Sequence, residues 1–233
     1  MLRKPFVQNV LLLNMRKILL MFVLFSQCIF AQTAKEIIDK NIELSGGLTN
    51  WKLLNSVILQ GRVTLGVNDE YPIKIYQERP NLTKTVITIN KKETPIEGFD
   101  GTKGYAMNYA TNKIQEYPNY NPESFDNDFI DWESKGFEAR YLGKEKIGET
   151  YCHKVELTKN VNKTVYYFDT RTYMLVKEVK ADETLVYKDY RKVGSLLMPF
   201  RMESSSQKKD SDYVMIINKI ETNKVLPANT FKF

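Results

Sequence analysis

The chain of 233 residues carries one histidine, two cysteines and two tryptophans, and each scarcity removes a class of chemistry. With only His153 available, no set of imidazoles can hold a metal, and Cys152 has no second histidine to activate it. No serine sits in a nucleophile elbow and no glycine-rich loop could cradle a phosphate. Asp126, Asp128, Asp131 and Glu133 lie close together, but they lack the turn glycine and the spaced bidentate acid of a calcium loop. They read as the wet face of a short helix. His153 alternates with apolar residues along a strand-like run, so it reads as a hydrogen-bonded core histidine and not as a general base. No catalytic group, cofactor or metal is therefore expected, and the chain is read as a non-enzyme.

Long hydrophobic runs are also missing. The apolar stretch from Ile18 to Phe25 is shorter than the ~20 residues that a membrane-spanning helix needs. It follows Arg16 and Lys17 and precedes a short tail ending at Ala31, the order of a secretory signal peptide. We expect residues 1–31 to be that signal, with the start at Met1 or Met15, and residues 32–233 to form one domain in the periplasm. Anchoring through a lipid on Cys28 is disfavoured because Gln27, not a small residue, precedes it. Once Cys28 leaves with the signal, Cys152 has no partner for an internal disulfide.

The signal also carries much of the basic charge. It removes four of the 34 Lys and Arg residues and none of the 28 acids, so the net charge falls from +6 to about +2. The remaining lysines and acids are interspersed, without the dense basic stripe of a nucleic-acid binder. No nucleic-acid partner is expected.

What is present is alternation. Tyr71, Ile73 and Ile75 alternate with Pro72, Lys74 and Tyr76, the period of a strand with one buried face. Pro80 and Asn81 interrupt the pattern and place a turn before Leu82 to Ile89. Val57, Leu59, Val63 and Leu65 share a face in the same way. Further strands are predicted over 93–99, 104–107, 113–117, 139–147, 151–158, 164–169, 173–181, 184–193, 198–204 and 213–221. The connections are too short for helical crossovers, so neighbours are antiparallel. In the strand from Tyr151, the residues Tyr151, His153, Val155 and Leu157 are expected on the apolar face, opposite Cys152. The runs 185–191 and 213–220 are apolar on both faces, and their direction is not assigned.

Helical signals are few. Thr33 and Glu36 form a capping box before Ile37, Ile38, Ile42 and Leu44, and Gly46-Gly47 stop that helix. Thr49 is expected to cap one or two further turns through Leu54. Between Pro118 and Gly136, Asn121 and Pro122 suit a helix start, and Phe125, Phe129, Ile130 and Trp132 suggest a second short helix. Two short helices cannot cover so much apolar sheet, so the sheet must curl on itself.

The order of these features resembles the LolA/LolB-type periplasmic lipoprotein carriers and lipoprotein-sorting proteins. The resemblance rests on Arg79-Pro80-Asn81-Leu82 at a strand end and on Phe99-Asp100-Gly101-Thr102 followed by Tyr105. Tyr166 to Thr172, Asp189-Tyr190-Arg191 with Pro199, and Ile220 to Asn223 ending in Phe231 extend it to the C-terminal half. It implies an α+β fold, a strongly curved antiparallel half-barrel of about eleven strands whose open side is closed by short helices. It also implies an apolar cavity lined by Val57, Leu59, Val63, Leu65, Ile73 and Ile75, and lid contacts from Ile38, Ile42, Phe129 and Trp132. Arg79, on its own chemistry as readily a surface arginine, takes from the resemblance the role of lid latch. The implied cargo is an acylated lipoprotein or lipid delivered toward the outer membrane by a monomer that meets inner- and outer-membrane components transiently. The alternatives are a general hydrophobic-ligand or lipid-binding module, or an envelope sensor, on the same fold; a secreted hydrolase is less favoured.

Overall fold

A computed structural model describes residues 33–66, 69–108, 110–118, 120, 124–207 and 212–233. The expected signal, and the cap at Asn121-Pro122, lie outside the described residues. Thirteen strands form one antiparallel sheet in the order β6-β5-β4-β3-β2-β1-β13-β12-β11-β10-β9-β8-β7. They are β1 Ser56–Leu65, β2 Asp69–Glu78, β3 Leu82–Ile89, β4 Lys92–Phe99, β5 Gly104–Asn108, β6 Lys113–Glu116, β7 Glu138–Ile147, β8 Thr150–Lys159, β9 Asn162–Asp169, β10 Leu175–Val179, β11 Glu183–Val193, β12 Leu196–Ser206 and β13 Tyr213–Thr222. The sheet is open and curved, and every strand anticipated from alternation is present. The total is thirteen, against the eleven or so implied by the resemblance.

Pairing of β1 with β13 places the first and last strands side by side in the middle of the sheet, so β6 and β7, consecutive in the chain, become its two edges. Residues 117–137 must therefore bridge from one edge to the other. The strand ends at Ser56, Glu78, Phe99, Glu116, Thr222, Leu196, Asp169 and Thr150 follow from the pairing as one rim of the sheet, here termed the Ser56 rim.

The inner face is set by register. Leu59 faces Ile75 and Ile220, and Val63 faces Tyr71 and Met215, so one side of β1, β2 and β13 is continuously apolar. An extra residue, Asn218, sits opposite the Gln60/Gly61 step. This bulge lets both Ile217 and Ile220 point inward despite their unlike parity, which is why alternation alone could not orient β13.

Helix α1 (residues 33–44) buries Ala34, Ile37, Ile38 and Asn41 along one stripe and exposes Lys35, Glu36, Asp39 and Lys40. Thr33 already lies within it. It ends in a Schellman pair: Gly47 N–H donates to Ile42 O at 2.8 Å and Gly46 N–H to Glu43 O at 3.3 Å. Gly46, at φ 133, is irreplaceable here because a Cβ would lie 2.6 Å from Ser195 O. Helix α2 (Leu48–Lys52) starts two residues earlier than a cap at Thr49 would place it, with Gly47 as N-cap and no side-chain cap.

Three expectations are corrected. The short helix expected around Phe129 is a run of turns over residues 128–136. Asp131 adopts φ 52, a left-handed conformation that breaks a helix. Strand β10 is shorter than 173–181, because Tyr173 is also left-handed at φ 58. In β8, Tyr151 is 62% exposed while Cys152 is fully buried, so at that rim the outer face is the covered one.

Candidate functional site

Three apolar clusters divide the inner face. The first joins Ala34, Ile37 and Ile38 of α1 to Phe129 and Trp132 of the bridging segment and to Val155, Leu157, Tyr166 and Phe168 of β8 and β9, with Ile42 packed against them. All four residues expected in the lid thus meet in one place. Phe129 sits edge-on to Tyr166 with ring centroids 4.6 Å apart.

The second cluster contains Val63, Ile73, Ile87, Phe200, Met215 and Ile217, with Leu59, Leu65 and Ile75 half-buried against it. The third contains Val57, Leu54, Leu196 and Met198, with Trp51, Leu59 and Phe125 alongside. The six residues expected to line a cavity therefore share one face in adjoining clusters. Val57, Val63 and Ile73 are buried, at 4–5% exposure, while Leu59, Leu65 and Ile75 keep partial access.

The bridging segment crosses this face and is fixed at defined points. At its start Tyr120 stacks on Phe99, 5.9 Å between centroids. It occupies the space above Gly104, where a Cβ would come within 2.0 Å of the Tyr120 Cβ. Phe125 N–H then donates to Pro80 O at 3.0 Å.

Arg79, in the β2–β3 turn, is the most heavily used side chain of the site. Its Nη1 and Nη2 donate to the two carboxylate oxygens of Asp126 at 2.5 and 2.6 Å. Its Nε donates to Leu54 O at 2.6 Å and Nη2 also to Trp51 O at 3.0 Å. The guanidinium further covers the Phe125 ring at 4.8 Å. One planar group thereby joins the β2–β3 turn, the end of α2 and the bridging segment, a use of the guanidinium fork that lysine cannot copy.

Of the neighbouring acids expected on a solvated face, Asp131 and Glu133 are exposed, whereas Asp126 and Asp128 are half-buried. Asp128 accepts from the Tyr166 hydroxyl at 2.7 Å and Asp131 pairs with Lys52 of α2 at 2.7 Å. Each of the three aspartates ties the segment to a different element. No group of His, Cys, Asp and Glu among the described residues could hold a metal ion.

Sequence reasoning missed a buried polar chain beside these ties. Glu178 of β10, 8% exposed, accepts from the Tyr187 hydroxyl at 2.7 Å and pairs with Lys180 at 3.3 Å. Burial pushes its carboxyl above the ordinary range, more than Lys180 and Tyr187 hold it down. Burial likewise raises the Tyr166 and Tyr187 hydroxyls. The only signal was an acid at an inward position of a strand, and the register shift after Leu175 hides that position from simple alternation.

His153 is half-buried, with Nδ1 3.3 Å from the Tyr141 hydroxyl and its ring stacked on Tyr173. Burial lowers its pKa, helped by Lys144. Cys152 is buried and its thiol is pushed up to about 11, chiefly by desolvation, which makes it a poor nucleophile.

An open antiparallel half-barrel, apolar inside and crossed by a segment between its own edges, is the LolA-like fold. Solved structures bear this out. A domain named for outer membrane lipoprotein sorting from Vibrio parahaemolyticus matches with TM-score 0.56 and 12% identity over 87% of this chain and 97% of that one. A DUF1329 family protein from Desulfovibrio piger matches at TM-score 0.57 and 10% identity, over 85% and 97%. A LolA superfamily protein from Nitrosomonas europaea matches at 0.53 and 13%, over 88% and 98%. At such identities the likeness is one of fold. No family model and no curated protein matches the chain.

Proposed function

We propose that the protein is an exported, periplasmic carrier that shelters the acyl chains of a lipoprotein or other lipid against its inner face and passes them toward the outer membrane. The observation that carries this reading is the inner face itself. Val57, Leu59, Val63, Leu65, Ile73 and Ile75 stand in register on one side of β1 and β2. At the Val57 and Leu59 end they are met by Phe125 of the bridging segment, which is held through a few polar ties instead of a ladder of hydrogen bonds. Each acyl methylene taken from water is worth about 0.8 kcal/mol, so a chain of ordinary length binds without any covalent step. The likeness in fold to a domain named for lipoprotein sorting supports the same reading.

In this reading α1 and the segment carrying Phe129 and Trp132 form the lid, and Arg79 is its latch. Breaking the Arg79–Asp126 pair leaves the segment joined to the β2–β3 turn only through Phe125, by its backbone bond to Pro80 O and its ring under the guanidinium, and disturbs no strand pairing, which suits a cover that must open. No helix among the described residues is long and apolar enough to cross a membrane.

Native mass spectrometry of protein purified from its own envelope tests the proposal. Co-purified acylated peptide is the expected result. Free lipid alone would make it a general lipid binder, and an empty protein that does not take up acyl probes would end the carrier reading.

A further inference from the structure

Strands β4 and β5 carry two glycines in diagonal positions: Gly98 stands opposite Tyr105, and Phe99 stands opposite Gly104. Phe99 also pairs with Thr83 of β3, which shares the parity of the inward-facing Ile87, whereas Gly98 pairs with Lys84. Phe99 and Gly104 therefore face inward, and Gly98 and Tyr105 face outward. Each missing side chain leaves a notch, one on each face of the same hairpin.

An aromatic ring from a distant segment fills each notch. On the inner face it is Tyr120 of the bridging segment, seated over Gly104 and stacked on Phe99. On the outer face it is Phe233: a Cβ on Gly98 would lie 2.3 Å from its Cζ, and its ring stacks on Tyr105 with centroids 4.4 Å apart. Lys84 covers the Phe233 ring at 4.8 Å, and its Nζ donates to Lys232 O. The Tyr105 hydroxyl donates to Asp100 at 3.1 Å, and the other oxygen of that carboxylate accepts from the Thr102 and Lys103 N–H groups at 2.8 and 2.7 Å. The outer ring is thus joined to the hairpin turn as well as to the strands. Residues 223–233 carry Phe233 there from the middle of the sheet, where Asn223 N–H donates to Ser56 O at 2.8 Å and Ser56 Oγ donates to Lys224 O at 2.7 Å.

We propose that this tail governs the seat of the bridging segment: Phe233 and Tyr120 grip one hairpin from opposite faces, so lifting the tail off Gly98 loosens the start of the segment inside. The hairpin has little else to hold it. β5 has five residues and its only further neighbour, the edge strand β6, has four, and a glycine in each facing pair leaves the strands without side chains to pack there. Their position depends on the rings that fill the notches, and each ring finds its notch only while the other holds the hairpin in place. The tail lies on the face that cargo against the inner face never touches. It is therefore a handle on the segment from outside, and the coupling itself does not depend on the carrier reading.

Amide exchange followed by NMR tests the coupling. In Phe233→Ala the amides of Tyr117 and Tyr120, which donate to Gly104 O and Tyr117 O, are expected to exchange about tenfold faster. The amide of Lys135 at the far side of the segment, and those of β1 and β13, should exchange as in the unaltered protein. Coupling is reciprocal, so Tyr120→Ala should speed exchange at Thr230 and Lys232, which donate within the tail, by a like factor. The double variant should lose less stability than the two single losses added together. Gly98→Ala is no substitute, because its Cβ would also meet Thr83 O at 2.4 Å and disturb β3. Additive losses, or faster exchange confined to the substituted face, overturn the proposal. Release of a bound fluorescent acyl probe is read in the same Phe233→Ala protein. Faster amide exchange with unchanged release would uphold the coupling and count against the segment as a lid, so the two readings fail separately.

Discussion

Arg79 and Asp126 meet through two parallel hydrogen bonds of 2.5 and 2.6 Å, although 47 residues separate them and no strand pairing links their segments. Their side chains are 26% and 20% exposed, so the pair is shielded enough to matter yet near enough to solvent to break. Arg79→Lys removes the fork and cannot hold Asp126, Leu54 O and Trp51 O together. We expect a loss of about 2 kcal/mol at most in global stability, but a much larger rise in amide exchange over residues 124–137. Exchange in β1 and β13 should stay unchanged. An Asp126→Asn change should do the same, with the double variant no worse than either alone. Additive effects would mean the two residues act separately and the latch does not exist.

Gly104→Ala tests the other anchorage of the segment. The new methyl would overlap Tyr120 at 2.0 Å, and it is the start of the bridge, not the sheet, that can yield. Overpacking of this kind costs about 1–3 kcal/mol. Pairing the change with Tyr120→Ala should recover part of the loss, read as thermal midpoint. No recovery would place the strain in β5 itself.

The sheet was legible because alternation survives wherever one face is wet: β1, β2 and β8 read from sequence to within a residue or two. Legibility failed where a bulge or a left-handed residue shifts parity, as at Asn218, Asp189 and Tyr173. It failed again for residues 128–136, where apolar spacing suited a helix but Asp131 adopts positive φ. That Ile38, Ile42, Phe129 and Trp132 would gather in one cluster was expected only through the family resemblance, and Arg79 on its own chemistry read as readily as a surface arginine. Their partners were not legible. Asp126, Asp128 and Asp131 look alike in sequence, and only the fold reveals that each reaches a different element. Glu178 was silent for the same reason.

Glu178 gives a prediction of defined sign. Its carboxyl is raised above the ordinary 4.5 by burial, so between 4.5 and the folded-state value the native protein binds more protons than the unfolded chain. Stability attributable to this group is therefore full below pH 4.5 and is lost as pH rises through the folded value. Glu178→Gln keeps an acceptor for the Tyr187 hydroxyl and abolishes the titration. The variant's midpoint relative to wild type should rise steadily from pH 4.5 toward neutrality, measured by thermal denaturation at several pH values. A difference that stays flat would show that Lys180 holds the carboxylate charged throughout.

His153 works in the opposite direction. Its folded-state pKa lies below the ordinary 6.5, so the native state binds fewer protons in that window, and stability falls as pH drops from 6.5 toward the folded value. His153→Gln should remove that acid-side slope while leaving the midpoint at higher pH little changed. An unaltered slope would assign the acid sensitivity to other groups.

Leu65 and Ile75 test whether the inner face binds cargo at all. Both are half-buried on that face, packed beside Val63 and Ile73, and both retain access that the fully buried members of the cluster lack. Replacing each by Asn places an amide where an acyl chain would lie. With about 0.8 kcal/mol for each methylene contact forfeited, a fluorescent fatty-acid probe should bind about tenfold more weakly to the double variant. The cost in stability should be smaller than that of Ile73→Ala, which leaves a cavity worth about 2–5 kcal/mol in the packed part of the cluster. A Lys74→Gln change on the outer face of the same strand is the matched control, because Lys74 pairs there with Glu93 and touches nothing on the inner side. If the probe binds the Leu65/Ile75 variant as tightly as it binds the Lys74 variant, the apolar face is only the protein's own core, and the lid and latch have nothing to release.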